Sequence, residues 1–196
     1  MPRFSAILSA ILIGALLPNL SFADWRLVSK NSSFTIGTTK NETVTEIHKF
    51  QELDGLVKSN GIASLTLNLL SVDTGIEIRD QRMQAMLFSA SAQAVYRAIL
   101  DVRTFVKMKA GESKEFQLEG ILELNGNFTL MPVDTKVTRL PSGHYRIETV
   151  SANNIDVGLF GFADGVEQLR AVANLLVISP IVTFEFDLEF EPLESD

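Results

Sequence analysis

The 196-residue chain contains no cysteine. That absence excludes thiol nucleophiles, thiolate zinc sites, iron–sulfur clusters and any disulfide framework. Histidine is nearly as scarce, with only His48 and His144. Zinc takes three or four His, Cys or carboxylate ligands, so two histidines far apart in sequence make a poor metal site. No G-x-S-x-G motif is present, and neither histidine has the third, orienting group that a triad requires. The single tryptophan, Trp25, leaves no row of sugar-stacking aromatics around paired carboxylates. The Gly158-Leu159-Phe160-Gly161-Phe162 stretch lacks the lysine and the strand–helix context of a phosphate loop. Positive charge is also short: 17 Lys and Arg stand against 24 Asp and Glu, a formal net charge of −7. Such a chain repels nucleic-acid phosphates and anionic membrane surfaces at long range, and no nucleic-acid partner is expected. Catalysis, metal and cofactor chemistry all lack a motif, so a non-enzymatic role is the first expectation.

What is present begins with the N-terminus. Arg3 gives a short positive segment, Phe4 to Leu17 is apolar and uncharged, and Pro18 breaks the run. Ser21-Phe22-Ala23 then places small residues at −3 and −1 of a cleavage site. Residues 1–23 read as a secretory signal peptide, shorter than the roughly 20 apolar residues of a membrane span. Loss of Arg3 would take the formal charge from −7 to −8. Residues 24–196 suit one domain with a substantial core, and no later window is long and apolar enough to span a bilayer.

The dominant period in that domain is two. Phe34 and Ile36 with Thr38, Ala63 to Leu69, Phe116 to Leu124, and Val182 to Phe190 each alternate apolar with polar positions. Phe128, Leu130 and Pro132 continue the pattern after Asn125-Gly126, a pair that tolerates positive φ and signals a hairpin. Each stretch reads as a strand with one buried and one wet face. Glu185, Asp187, Glu189 and Glu191 form the wet face of the last one, and keep a long edge from pairing with other chains. Turns at Asp54-Gly55, Asn60-Gly61, Ser142-Gly143 and Ser179-Pro180 fit an antiparallel sandwich or barrel. Ala85 to Ala98 reads as a short helix over one end, or as loop; Asp164 to Ala173 reads as a second helical or irregular insert. Ser71 to Met83 begins like a strand and stops in the charged knot Arg79-Asp80-Gln81-Arg82 before Met83, Met86, Leu87 and Phe88. His48 reads as a hydrogen-bonding rim residue, and His144 as a solvated hairpin residue.

The order of these elements resembles the YceI family of secreted bacterial proteins. The resemblance rests on Trp25 near the mature start, Ser32 and Phe34 on the first strand, and Phe50 before Gly55. Its most specific part is the Ser71–Phe88 string, S-[VI]-[DE]-T followed by R-D-x-x-[LM]-x-x-x-x-F. Gly120, Leu122, Leu124 and Gly126 match a glycine-ended hairpin, and Asp156, Gly158 and Leu159 match a D-x-G-[LIF] segment. The chain departs from the family at Asn127-Phe128-Thr129 and in the "SAQAVYRAIL" region, where a tyrosine–proline step is usual.

The resemblance implies an all-β fold: an antiparallel, lipocalin-like β-barrel with a short helical insert. It also implies a periplasmic location, frequent dimerisation, and a polyisoprenoid or other long-chain lipid in the lumen. Inward residues of a small barrel either fill it or line a cavity, so core face and ligand face coincide. On that basis the ligand-contacting set is Phe34, Ile36 and Phe50 from the first strands, then Val72 and Ile76. Arg82, Met83, Met86, Leu87 and Phe88 follow from the charged knot and the apolar positions after it, and Leu118, Leu122, Phe160, Phe184 and Phe186 from later in the chain.

The charged knot carries two readings. Arg79 pairs with Asp80 or Asp73 to fix a rim turn, or Arg79 or Arg82 meets a ligand head group, for which a guanidinium suits phosphate or carbonyl oxygens. The methionines beside it form a soft apolar lid or plain core. Two rival functions remain open: a scaffolding protein with a packed barrel and an exposed apolar patch, and a lipid-acting enzyme using His48.

Overall fold

A computed structural model describes residues 23–89 and 91–193. The proposed signal segment therefore lies, but for Ala23, outside the described residues. The chain folds as a closed antiparallel barrel of eight staves, several of them broken in the middle. The first stave is β1 (Trp25–Leu27) and β2 (Ser33–Lys40), interrupted by the 3-10 turn Ser29–Asn31. The second is β3 (Val44–Phe50) and β4 (Leu53–Val57), and the third β5 (Ile62–Asn68) and the two-residue β6 (Val72–Asp73). After α1 (Glu77–Met83) and a π-helical turn over Gln84–Phe88 come β7 (Gln93–Ile99) and α2 (Val102–Val106). The long hairpin β8 (Ser113–Leu124) and β9 (Asn127–Arg139) follows, then the broken stave β10 (Tyr145–Thr149) and β11 (Asn153–Asp156). Finally α3 (Ala163–Val172) leads into β12 (Ile181–Pro192).

Neighbours around the ring run β1/β2, β3/β4, β5/β6, β7, β8, β9, β10/β11, β12. The ring closes where β12 pairs with both β1, Leu27 opposite Phe190, and β2, Phe34 opposite Phe186. Closure removes sheet edges. β12 is therefore flanked on both sides, and its acidic outer face is not an edge-protecting device. Three of those acids have side-chain partners instead: Arg26 pairs with Glu191 at 2.9 Å, Arg146 with Asp187, and His144 Nδ1 lies 2.7 Å from Glu189 Oε1. His144 is thus half-buried and partnered, not simply solvated.

Three local expectations change. Strand β7 occupies the second half of the Ala85–Ala98 stretch, with Ala94 and Ala98 buried and Tyr96 half-buried, so only the first half is helical. The strand expected from Val72 to Ile78 ends at Asp73; Ile76 and Ile78 stand at and in α1 and are exposed. Phe128 and Leu130 face outward, 64% and 70% exposed, beside Ile121 on the outside of the hairpin. The cause is register. Asn125 and Gly126 both take positive φ in a two-residue turn that sets Leu124 opposite Asn127. Directly paired residues share a face, so Thr129, Met131 and Val133 follow Leu122 and Leu118 inward.

One end of the barrel is sealed by aromatic packing. The Trp25 and Tyr145 rings meet edge to face at 6.1 Å, and Phe105 of α2 lies 5.1 Å from Phe116. Tyr145 donates its hydroxyl to the Phe105 carbonyl at 3.1 Å. Arg139 donates Nη1 to the carbonyls of Val106 and Met108, and lies 5.7 Å over the Tyr145 ring. The exposed carbonyls at the end of α2 are thereby satisfied by a cation that also caps the aromatic cluster.

Candidate functional site: an apolar lumen with a polar end

Between the sealed end and the helices at the other lies a cavity of about 430 Å³. Its wall is built from the inward positions of all eight staves, plus α1, the π-helical turn and α3. Of the residues singled out from the sequence, Phe34, Ile36, Phe50, Arg82, Met83, Leu87, Phe88, Leu118, Leu122, Phe184 and Phe186 line it. The other four do not. Val72 and Phe160 are buried in the surrounding core, at 4% and 1% exposure, Met86 is half-buried beside the wall, and Ile76 is exposed.

The phenylalanines form a connected series across the lumen. Phe34 stacks on Phe184 at 5.7 Å and on Phe186 at 6.2 Å, and meets Phe50 at 6.3 Å. Phe50 touches Phe88, and Phe88 touches Phe162, both edge to face. Such offset and edge-on pairs add about 0.5–1.5 kcal/mol each beyond area burial. They hold a smooth wall in place without filling the centre.

The opposite wall depends on a glycine. Tyr96 of β7 lies across β8 and shares its hydroxyl proton between the carbonyls of Leu118, at 3.0 Å, and Met131, at 2.8 Å. A Cβ on Gly120 would sit 2.2 Å from the Tyr96 ring. Burial pushes the Tyr96 phenol up to about 12. The matched hairpin glycine thus makes room for a lumen tyrosine, a role the sequence motif alone does not disclose.

The second wall feature is a gradient along β2 and β3. Inward positions on β2 run Phe34, Ile36, Thr38, Lys40; on β3 they run Phe50, His48, Glu46. Both strands therefore pass from apolar to polar to charged toward the helix-covered end. α1 lays Arg79 and Arg82 over that end and continues into Met83 and Leu87. Arg79 does not pair with Asp80 or Asp73. Its Nη1 meets Glu46 Oε2 at 2.7 Å and its Nη2 donates to the Thr74 carbonyl at 2.8 Å. Asp80 instead accepts from the Thr74 amide at 2.9 Å and from the Thr74 hydroxyl. Arg79 and Asp80 together lock the Thr74–Gly75 turn that starts α1, and this answers the structural half of the question the charged knot poses.

Lys40 Nζ reaches the other Glu46 oxygen at 2.9 Å. The Lys40 ammonium first, and the Arg79 guanidinium after it, hold Glu46 below the usual carboxylate range against the opposing effect of burial. His48 is only 3% exposed, and its Nε2 lies 2.9 Å from Thr38 Oγ1. Burial lowers its pKa, and the nearby Arg79 charge adds to this, so both effects favour the neutral ring. Sequence reading placed His48 at the rim; the fold places it inside. Thr38, Lys40, Glu46 and His48 were all within reach of the alternation that marks Phe34, Ile36 and Phe50, carried a few residues further along each strand.

The helix cover rests on close backbone contact. A Cβ on Gly165 of α3 would lie 2.4 Å from the Met86 carbonyl oxygen in the π-helical turn. π-turns are rare and gather at functional sites. Here the turn brings Met83, Leu87 and Phe88 to the lumen together.

No family model matches the chain, and no curated protein matches it. Solved structures do. A polyisoprenoid binding domain from Saccharophagus degradans, implicated in plant cell wall breakdown, is 28% identical with a TM-score of 0.84, covering 88% of this chain and 99% of that one. Burkholderia cenocepacia BcnA is 16% identical with a TM-score of 0.65, over 83% of this chain and 98% of its own. A Campylobacter jejuni YceI protein is 14% identical with a TM-score of 0.51, over 76% of this chain and 85% of its own. The last two share the fold. The chain resembles the YceI proteins in its barrel as it does in its ordered sequence motifs.

Proposed function

We propose that this chain is a periplasmic carrier or buffer for a long isoprenoid-like lipid, held by its tail in the barrel lumen. The observation that carries the reading is the cavity itself: about 430 Å³, inside a closed barrel, walled by phenylalanine and aliphatic side chains. That volume falls within the roughly 300–1,000 Å³ of small-molecule sites, which are mostly apolar with a few placed polar groups. Each methylene of a bound tail contributes about 0.8 kcal/mol on leaving water. Similarity to a polyisoprenoid binding domain, at 28% identity over 88% of the chain, supports the same ligand class. The charge and cleavage pattern of residues 1–23 supports secretion.

The scaffolding alternative requires a filled barrel, which this cavity argues against. The enzymatic alternative requires His48 to act as an oriented base, yet its Nδ1 has no carboxylate or other partner to orient the ring against the Thr38 hydroxyl at Nε2. Ala94 is a buried, lumen-lining residue with space in front of it, and it supplies the test. Lipid-stripped protein holding an apolar fluorescent probe should release the probe when farnesol is added. Ala94→Phe should remain folded, because overpacking costs about 1–3 kcal/mol, and should weaken farnesol binding at least tenfold. Equal binding by the two proteins would place the ligand outside the lumen.

A further inference from the structure

Two buried polar atoms at the helix-covered end of the lumen have no partner: His48 Nδ1 and Arg79 Nε. Both residues line the cavity. Leaving a buried donor unmatched costs about 1–3 kcal/mol, more for a charged group, so such atoms ask for an explanation. Their neighbours fix what they offer. Arg79 spends one Nη1 proton on Glu46 and one Nη2 proton on the Thr74 carbonyl, so its orientation is set, and its Nε is the guanidinium nitrogen with no partner. Thr38 Oγ1 sits at His48 Nε2. A hydroxyl donating there leaves the ring proton on Nδ1, which is then a second free N–H. The charges at this end are also unbalanced. Lys40, Arg79 and Arg82 line it against one lining carboxylate, Glu46. Asp80 lies near enough to act on His48, but its carboxylate is taken up by Thr74.

Resting on the lumen reading, we infer that His48 Nδ1 and Arg79 Nε form a head-group anchor for an anionic oxygen, phosphate or carboxylate, carried on the lipid tail. The apolar-to-charged gradient on β2 and β3 then matches an amphiphile laid along the strands. Its tail lies against Phe34 and Phe50, and its oxygen lies beneath α1. Arg82 and Lys40 supply the remaining positive field, and Glu46 holds Arg79 in place. A single anionic head completes both orphaned donors in a setting where charge-assisted hydrogen bonds are at their strongest.

The test compares farnesyl phosphate, farnesoic acid and farnesol, by calorimetric titration of the lipid-stripped protein at pH 7.5. The expected result is that one or both anionic ligands bind at least tenfold more tightly than farnesol, and the two arms tell phosphate from carboxylate. His48→Leu should erase about tenfold of that preference, read as the ratio of anionic-ligand to farnesol affinity in the same variant. His48→Gln, whose amide can donate again, should restore part of it. Arg79 also locks a turn, so Arg79→Lys is read only alongside His48→Leu and with its melting curve. Equal affinity for all three ligands, or a His48→Leu variant that keeps the full preference, overturns the anchor and leaves the lumen reading intact. Failure of every farnesyl compound to bind overturns both.

Discussion

The two ends of this barrel are built from different materials. At the sealed end Trp25, Tyr145, Phe105 and Phe116 interlock, and Arg139 ties the carbonyls after α2 to the Tyr145 ring. The Tyr145 hydroxyl and the Arg139 guanidinium both have partners, and among the described residues no buried side-chain nitrogen or oxygen of that cluster is orphaned. At the other end α1, the π-helical turn and α3 cover the lumen, charged side chains from β2, β3 and α1 gather there, and two buried nitrogens are left unmatched. One end is organised as a core. The other gives up hydrogen-bond satisfaction in a place where a ligand could supply it. Proteins break local rules mainly at functional sites, and here the breach is confined to one end of one cavity.

Breaking the sealed end should have the largest effect. Trp25 is 8% exposed and bridges β1 to Tyr145. Trp25→Ala should cost about 3–5 kcal/mol of unfolding free energy in urea titration, with lipid affinity lost only in proportion to the unfolded fraction. A loss well under 1 kcal/mol would mean that α2 and Arg139 seal the end without it.

The helix cover should respond in the opposite sense. Gly165→Ala forces α3 away from the Met86 carbonyl, which a Cβ would approach to 2.4 Å. It should cost only about 1–3 kcal/mol, yet speed probe release from the lumen by stopped-flow fluorescence. Unchanged release kinetics would mean that α3 is not part of the route out.

A smaller effect concerns acid. Burial holds the His48 pKa below its ordinary value of 6.5. Between the folded-state and unfolded-state values the unfolded chain binds the extra proton, so stability rises with pH across that window. The stability tied to the neutral ring is fully present above pH 6.5 and is lost progressively as pH falls toward the folded-state pKa. The unfolding free energy measured from pH 7.5 down to 5 should fall more steeply for the unliganded wild type than for His48→Leu. Parallel curves would mean that His48 titrates normally.

Much of the barrel was legible because period-two patterning is a direct image of a pleated wall with one dry face. Phe34, Ile36, Leu118, Leu122, Phe184 and Phe186 all face the lumen as the alternation requires. The failures have physical causes. Strand β7 was hidden because its inward positions are Ala94, Tyr96 and Ala98, small or amphipathic residues that leave room for the cavity and so weaken the hydrophobic signal. Phe128 and Leu130 were misassigned because hydrophobicity was weighed over turn register, although Asn125-Gly126 already determined which residues lie opposite Leu124. The partner of Arg79 is Glu46, distant in sequence and brought near by the pairing of β3 with β6, which leads into α1. No local spacing could reveal it. His48 reads as a rim residue, and Lys40 draws no reading, because polar residues at the end of an alternating strand look like a wet rim; the cover of α1 makes both part of the lumen wall.

The most direct measurement is organic extraction and mass spectrometry of the protein isolated under native conditions from its own host. The expected result is a long-chain apolar lipid in roughly equimolar amount, depleted in Ala94→Phe. Protein that carries no lipid from its host, and whose lumen still excludes every prenyl compound offered to it, would contradict a lipid-holding barrel.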